Sequence, residues 1–469
     1  MPLEPNDDPT STINFLQRLT MLSTMETYAL AAGAVAAAYA AARSCGPDDA
    51  PTTPKGTAPH TEGQFKAFQQ FRRLSVAGLA LGLAADYVVA AQLYACVRDD
   101  LPLIVVAELF ATSFAAAWAA RTCLRPAIER SLGLRGACGL ALVCVSISAI
   151  TAALHGSRHG HHIYLLAGRV CSGIAQPLLQ LTFEGWQRAV HAHQSWPALW
   201  RRETMRSIGR STTLAALLSG ALSEVLYRLC DDRRAPLLMS ACIALVAAGL
   251  TVSTADAPVL GEAPLCGGDA EAGLGRFFEF PRDTSGGRSV RGAVVTAGAA
   301  IVDAAAAIAL VAWAPTVSRA DPDAPFGFVF SLTMAAAVAG TQVFGAVAAS
   351  SKRFEHLAAA CCATGGLAFA FLATQPAGLG AALAPFLAFQ LALGAAKPCL
   401  AALRGKHVAP DQRDVAARAQ AACATIASVA GALLYAQKYA RRTTTGAWSS
   451  TLMRHFCTMF PARKRIPGA

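Results

Sequence analysis

Four polar residues carry the first chemical signal in this 469-residue chain. Arg169, Gln176, Gln180 and Glu184 interrupt the apolar stretch from Ile163 to Val190, at offsets of 0, 7, 11 and 15 residues. At about 100° per residue they fall within roughly 80° of one another on a helix. The stretch is long enough and apolar enough to cross a bilayer. Charge inside a membrane is costly and faces a bundle interior or a wet cavity, so the stripe suits a solute path. The alternative, that it only joins helices by hydrogen bonds, stays open. The planar guanidinium of Arg169 matches a tetrahedral oxoanion through paired hydrogen bonds, with Gln176 and Gln180 on the same face. Glu184 lies about 22 Å farther along the helix, too far to share that site. It is expected to pair with Arg206 or Arg210 and to gate or brace one end.

Three further charges stand within apolar stretches. Asp86 and Asp303 fall about midway along theirs. Facing lipid, each would cost a few kcal/mol by insertion scales. An acid at that depth carries a coupling proton or pairs statically with an arginine. Lys397 adjoins Pro398 and shares a helix face with Gln390, seven residues away. It binds an oxoanion as a point charge, or it reaches for the nearby membrane surface. His155, His159, His161 and His162 read as a solvated loop rather than a metal site. The sequence holds no nucleophile triad, phosphate loop or metalloprotease helix, so an enzyme is not expected, nor a metal or cofactor.

These residues need a scaffold of spanning helices. Apolar residues make up 54% of the chain and charged residues 15%, against about 25% charged in soluble chains; the mean hydropathy is +0.41. The net charge of +11 is no signal for nucleic acid, because the arginines lie between apolar spans, where orientation signals lie. Fourteen cysteines without a C-x-x-C pair suggest neither a disulfide framework nor zinc. The N-terminus shows no removable signal peptide.

About twelve spans are expected, near 24–42, 74–97, 101–120, 136–155, 162–188, 207–228, 235–255, 292–314, 325–350, 355–374, 378–403 and 414–437. Arg121, Arg125, Arg130 and Arg135, then Arg201, Arg202, Arg206 and Arg210, then Lys352 and Arg353, mark alternate loops as cytoplasmic. The acidic start is placed outside. The chain divides into 1–73, an extra span with its loop; 74–255, a six-helix half; 256–291, a cytoplasmic central loop; 292–437, a five-span half; and 438–469, a basic tail. Two pseudo-equivalent halves around a central loop suggest a transporter built from repeats. In the tail, Trp448–Phe460 is too short to span and is expected to lie on the surface as an amphipathic helix. The last span of the second half is expected to be missing or replaced.

Several residues in order resemble the molybdate-anion transporter family of the major facilitator superfamily, over roughly 68–440. They are Gly168-Arg169, Gly173 and Phe183-Glu184-Gly185-Trp186; Ala84-Ala85-Asp86-Tyr87 with Leu93-Tyr94; Asp303 ahead of Trp313 and Pro315; Ser351-Lys352-Arg353; Gly394 with Pro398; and Gly133 with Arg135. Val89-Ala90-Ala91 departs from the family's aromatic Gln-Gly-Pro. Arg130 replaces the loop aspartate, and Ala419–Leu433 is nearly bare of polar groups. The resemblance implies an all-α, polytopic major facilitator bundle in the plasma membrane. It implies a small oxoanion, most of all molybdate, as substrate, with Asp86 or Asp303 then expected to couple protons. Another small solute, or a non-transporting sensor or scaffold, are the alternatives.

Overall fold

The computed structural model describes residues 62–155, 162–254, 290–350, 354–374, 378–409 and 412–443. The expected span 24–42, most of the central loop and the tail beyond 443 lie outside them. Among the described residues there are only helices and turns. They are α1 (Glu62–Val97), α2 (Leu103–Ala119), α3 (Arg125–His155), α4 (His162–Pro177), α5 (Phe183–His193), α6 (Ala198–Cys230), α7 (Ala235–Ser253), α8 (Val290–Ala320), α9 (Phe326–Ser350), α10 (Phe354–Ala373), α11 (Leu379–His407) and α12 (Arg413–Thr443).

Among the described residues, nine segments are long and apolar enough to cross a membrane. One of them, Leu103–His155, is two rods folded at Gly133, whose φ of 69° only glycine takes without strain. A π-turn at Leu178–Thr182 joins α4 to α5 as a further rod. The described chain is therefore a bundle of eleven rods.

Two rods carry π-turns, Ala120–Leu124 and Leu178–Thr182. Each adjoins a proline, Pro126 or Pro177. A proline has no N–H to give and crowds the carbonyl four residues back, so the ladder locally widens by one residue. The first turn corrects an expectation. Arg121 was placed in a loop beginning at 121; the helix instead runs on to the break at Gly133. Likewise α1 begins at Glu62 rather than near 74.

The rods form two halves. In the first, α7 packs on α3 and α1, α4 on α2 and α3, and α6 on α1. In the second, α11 packs on α8, α9 and α10, and α12 on α8. The close approaches repeat between halves. A Cβ on Gly173 of α4 would meet the Ser113 carbonyl of α2 at 2.4 Å, and one on Gly394 of α11 would meet the Ala337 carbonyl of α9 at 1.9 Å. Small residues at these points let backbones touch where no hydrophobic force draws helices together. Among the described residues, no helix covers α10 as α7 covers α3, and Leu367 and Phe371 on α10 stay exposed.

The halves meet through α6 against α9 and α2 against α12. Glu224 Oε2 accepts from the Gly327 N–H at 3.0 Å, and Ser331 Oγ donates to the Leu217 carbonyl at 2.7 Å. Tyr87 and Tyr94 lie beside Phe330 and Phe326, with ring centroids 6.1 Å apart in each pair. Leu103, Val106 and Phe110 pack with Ala432 and Ala436. All these residues lie toward the α1–α2 turn, the end opposite the central loop, which we call the closed end.

At the opposite end, aromatic packing braces the first half internally. Phe68 stacks on Trp200 at 4.7 Å, and Phe71, Trp186, Trp196 and His191 complete the cluster. His191, beyond the apolar span, is buried; its Nε2 meets Thr204 Oγ1 at 3.2 Å. Burial, then the nearby Arg201 charge, pull its imidazole down to about 4.

Candidate functional site

Asp303 is the centre of a polar cluster within the spans. Val290 starts α8, and thirteen residues later Asp303 stands about 20 Å up the rod. Gln420 Nε2 of α12 donates to its Oδ2 at 2.6 Å. Lys397 Nζ of α11 is 3.9 Å from its Oδ1. The lysine side chain is 56% exposed and the aspartate 35%, so the pair is not sealed in a core. Pro398 leaves the Gly394 carbonyl without its helical partner, which adds an acceptor beside the lysine. Arg404, lower on α11, also acts electrostatically on Asp303, and its Nε is buried without a hydrogen-bond partner.

Arg121 comes to the same carboxylate from the other half. It sits in the first π-turn, is exposed, and interacts electrostatically with Asp303. It stands about 18 Å along its rod from the break at Gly133, as Asp303 stands about 20 Å from Val290. Gln180, in the second π-turn, is exposed at a similar depth, with Gln176 a turn away.

The remaining expected site residues fall elsewhere. Arg169 is 5% exposed and packed inside the first half. Its Nη2 donates to Ser148 Oγ at 2.5 Å, and Asp86 of α1 is its electrostatic partner. Arg169 and Asp86 thus interact with each other electrostatically, and among the described residues no hydrogen bond or ion pair links either to Asp303. Glu184 is exposed and pairs with Arg188 on its own helix at 3.0 Å. That replaces the expected pairing with Arg206 or Arg210; Arg206 is exposed and Arg210 Nε is buried without a partner. Among the described residues no group of three metal-ligating side chains occurs.

Charge also lines the closed end. Arg98, Glu224, Tyr227, Arg228, Arg233 and Asp323 surround a cavity of about 360 Å³. Arg98 bridges the halves, donating to Ser318 Oγ at 3.2 Å and the Pro322 carbonyl at 2.8 Å. Arg228 pairs with the buried Glu224 at 3.0 Å, and Arg233 with Asp99 at 2.5 Å.

Two groups of this cluster do not stand out in the sequence. Gln420 lies within 419–433, a stretch nearly bare of polar groups. Arg121 reads there as an orientation charge. The signal for Arg121 was Pro126: proline is tolerated in the first turn of a helix, and its presence among Leu124, Ile128 and Leu132 is compatible with a rod that continues.

Known proteins place this geometry. The family model described as sugar transporters with twelve transmembrane spans matches residues 52–370. No significant match is found among curated proteins. Solved structures align along most of the chain. A D-xylose–proton symporter is 14% identical with a TM-score of 0.56, covering 78% of this chain and 90% of its own. The nucleoside transporter NupG in a D323A variant is 12% identical with a TM-score of 0.59, covering 79% and 91%. A bacterial homologue of the human lysosomal transporter Spinster, inward-facing and unoccupied, is 15% identical with a TM-score of 0.54, covering 80% and 82%. At these identities the likeness is one of fold.

Proposed function

The chain belongs to this major facilitator family of transporters and is a multi-pass membrane protein, and on that footing we propose that it is a secondary transporter of a small oxoanion, molybdate or a close relative, at the plasma membrane. The central-loop end is cytoplasmic, by the arginine alternation. The closed end is then the outer one, and the cleft around Asp303 opens to the cytoplasm. Transport proceeds as the halves rock about the α6–α9 and α2–α12 contacts and expose the site to each side in turn.

One observation carries the reading: an exposed ammonium, Lys397, held mid-span beside an acid, Asp303. The lysine offers charge to an anion. The acid opposes that anion while ionised and stops opposing it when protonated, so proton and anion binding assist each other through linkage. Arg169 and Asp86 form a buried brace behind the cleft in this state. They reach substrate only if rocking opens the first half around them.

A second reading has its own support. Asp303 with Gln420, and Gln176 with Gln180, are also the groups that bind sugar hydroxyls, and the family's description names sugars. Uptake of tracer molybdate, tracer D-xylose and a tracer nucleoside, each in cells lacking their own carrier, separates the two, with tungstate, sulfate and the unlabelled neutral solutes as competitors. Uptake suppressed by tungstate is the expected result. Suppression by the neutral solutes alone assigns the second reading. No accumulation of any tracer above empty membranes assigns a sensor or scaffold.

A further inference from the structure

Arg121 is a cation that faces the site from the half opposite Lys397. Among the described residues its side chain makes no hydrogen bond, and its turn is held open by the proline next to it. Arg125, a turn farther along, is already neutralised by Glu129 at 2.7 Å. Arg121 is not.

The charges around Asp303 do not balance. Around Asp303, α11 brings Lys397 and Arg404, α12 brings the neutral Gln420, and α2, which packs against α12, leads into the π-turn that carries Arg121. Among these named groups three cations act on one carboxylate, a surplus of two positive charges. In the open cleft, water screens that surplus. When the halves close over the site, Arg121 approaches Lys397 while water leaves, and the repulsion between like charges rises as the effective dielectric falls. An empty site resists closure, and so does one holding a neutral solute.

Resting on the oxoanion reading, we propose that Arg121 and Lys397 grip one compact dianion between the halves, and that two negative charges are the condition for closing the inner side. Arg121 supplies the paired donors of a guanidinium and Lys397 a point charge. The ligand class is the tetrahedral oxodianion: molybdate, tungstate, sulfate. A tetrahedral monoanion of similar size, such as perrhenate, fits the space but leaves one positive charge uncompensated. The ligand thereby shifts the equilibrium only because it interacts differently with the open and closed states.

The test uses the purified full-length protein in detergent, with binding of tracer molybdate competed by tungstate or perrhenate. In the native protein, tungstate is expected to compete at least about tenfold better than perrhenate, the factor that a modest charge interaction produces. Arg121→Gln is expected to reduce that preference to near parity. Arg121→Lys keeps the charge and retains it, and Arg130→Gln, on the exposed side of the same rod, leaves it unchanged. If Arg121→Gln does not elute as a folded monodisperse species, Lys397→Gln serves as the same probe from the other half. An unchanged tungstate preference in the folded variant overturns the bridging role and leaves oxoanion transport standing. Absence of molybdate binding by the native protein overturns both.

Discussion

Asp303 and Asp86 are both mid-span acids, yet their surroundings separate them. Asp303 has an exposed lysine 3.9 Å away; Asp86 interacts only electrostatically with the buried Arg169. Breaking a direct buried ion pair by removing one partner typically costs about 3–5 kcal/mol, because the other charge is left uncompensated, and that bounds the loss here from above. Arg169→Ala is therefore expected to lower the melting temperature sharply, and adding Asp86→Leu to restore much of it. If the single variant melts like the native protein, the two are not a brace. Asp303→Asn is expected to leave melting nearly unchanged and to flatten the pH dependence of uptake, since the proposed coupling runs through this carboxyl group. Uptake assayed across a pH series checks this; an unaltered profile removes Asp303 from coupling. Mid-span charge made both acids visible in the sequence. It could not tell them apart, because the distinction lies in which helix faces each, and α8 and α4 meet their neighbours only through tertiary packing. Gln420 shows the complementary blindness: one amide in an alanine-rich helix has no pattern to mark it until α12 is laid against α8.

At the scale of elements, the site depends on helices that are not regular. A π-turn inserts one residue, which rotates everything beyond it by about 100°. Pro126→Ala lets the normal ladder re-form, and the rotation carries Arg121 away from Asp303. The expected result is at least about tenfold weaker molybdate binding with unchanged melting, read by tracer binding and thermal denaturation. The aromatic brace at the central-loop end responds to pH instead. His191, pulled to about 4 when folded, has an ordinary value of 6.5 when exposed. The opened brace takes up a proton first, so the contribution of His191 is full above about pH 6.5 and falls as pH drops toward 4. By linkage the loss reaches up to about 3 kcal/mol. Melting of native protein between pH 7 and 4, set against His191→Phe, reads this out; the variant should show a shallower decline. The spans themselves were legible from hydropathy, whereas the π-turns and the continuation of the helix through Arg121 were not. Charge at a span's end looks the same whether the chain turns there or continues as a helix into a wet cleft.

For the whole molecule, the argument turns on where the halves touch. The repeat is structural: glycines on α4 and α11 make equivalent approaches to α2 and α9, although the sequence similarity between the halves is weak. It was inferable from the order of spans around a central loop, because two bundles of similar length are the simplest way to bury that many apolar faces. The conformation was not inferable, since any one sequence must serve both open and closed states. In this state the two halves are joined at the closed end, where Gly220 and Gly327 bring α6 and α9 backbone to backbone; a Cβ on Gly327 would meet the Gly220 carbonyl at 2.3 Å. Rocking must part that contact, because the outer side has no other way to open. Leu217 and Ser331 flank it across the same seam. A protein carrying Leu217→Cys and Ser331→Cys, joined by a short thiol-specific cross-linker, is expected to bind molybdate from the central-loop side at native affinity and to lose uptake. Cleaving the linker should restore uptake. Uptake that persists through the cross-link would mean that the halves do not separate at α6 and α9, and the rocking mechanism would fail with it.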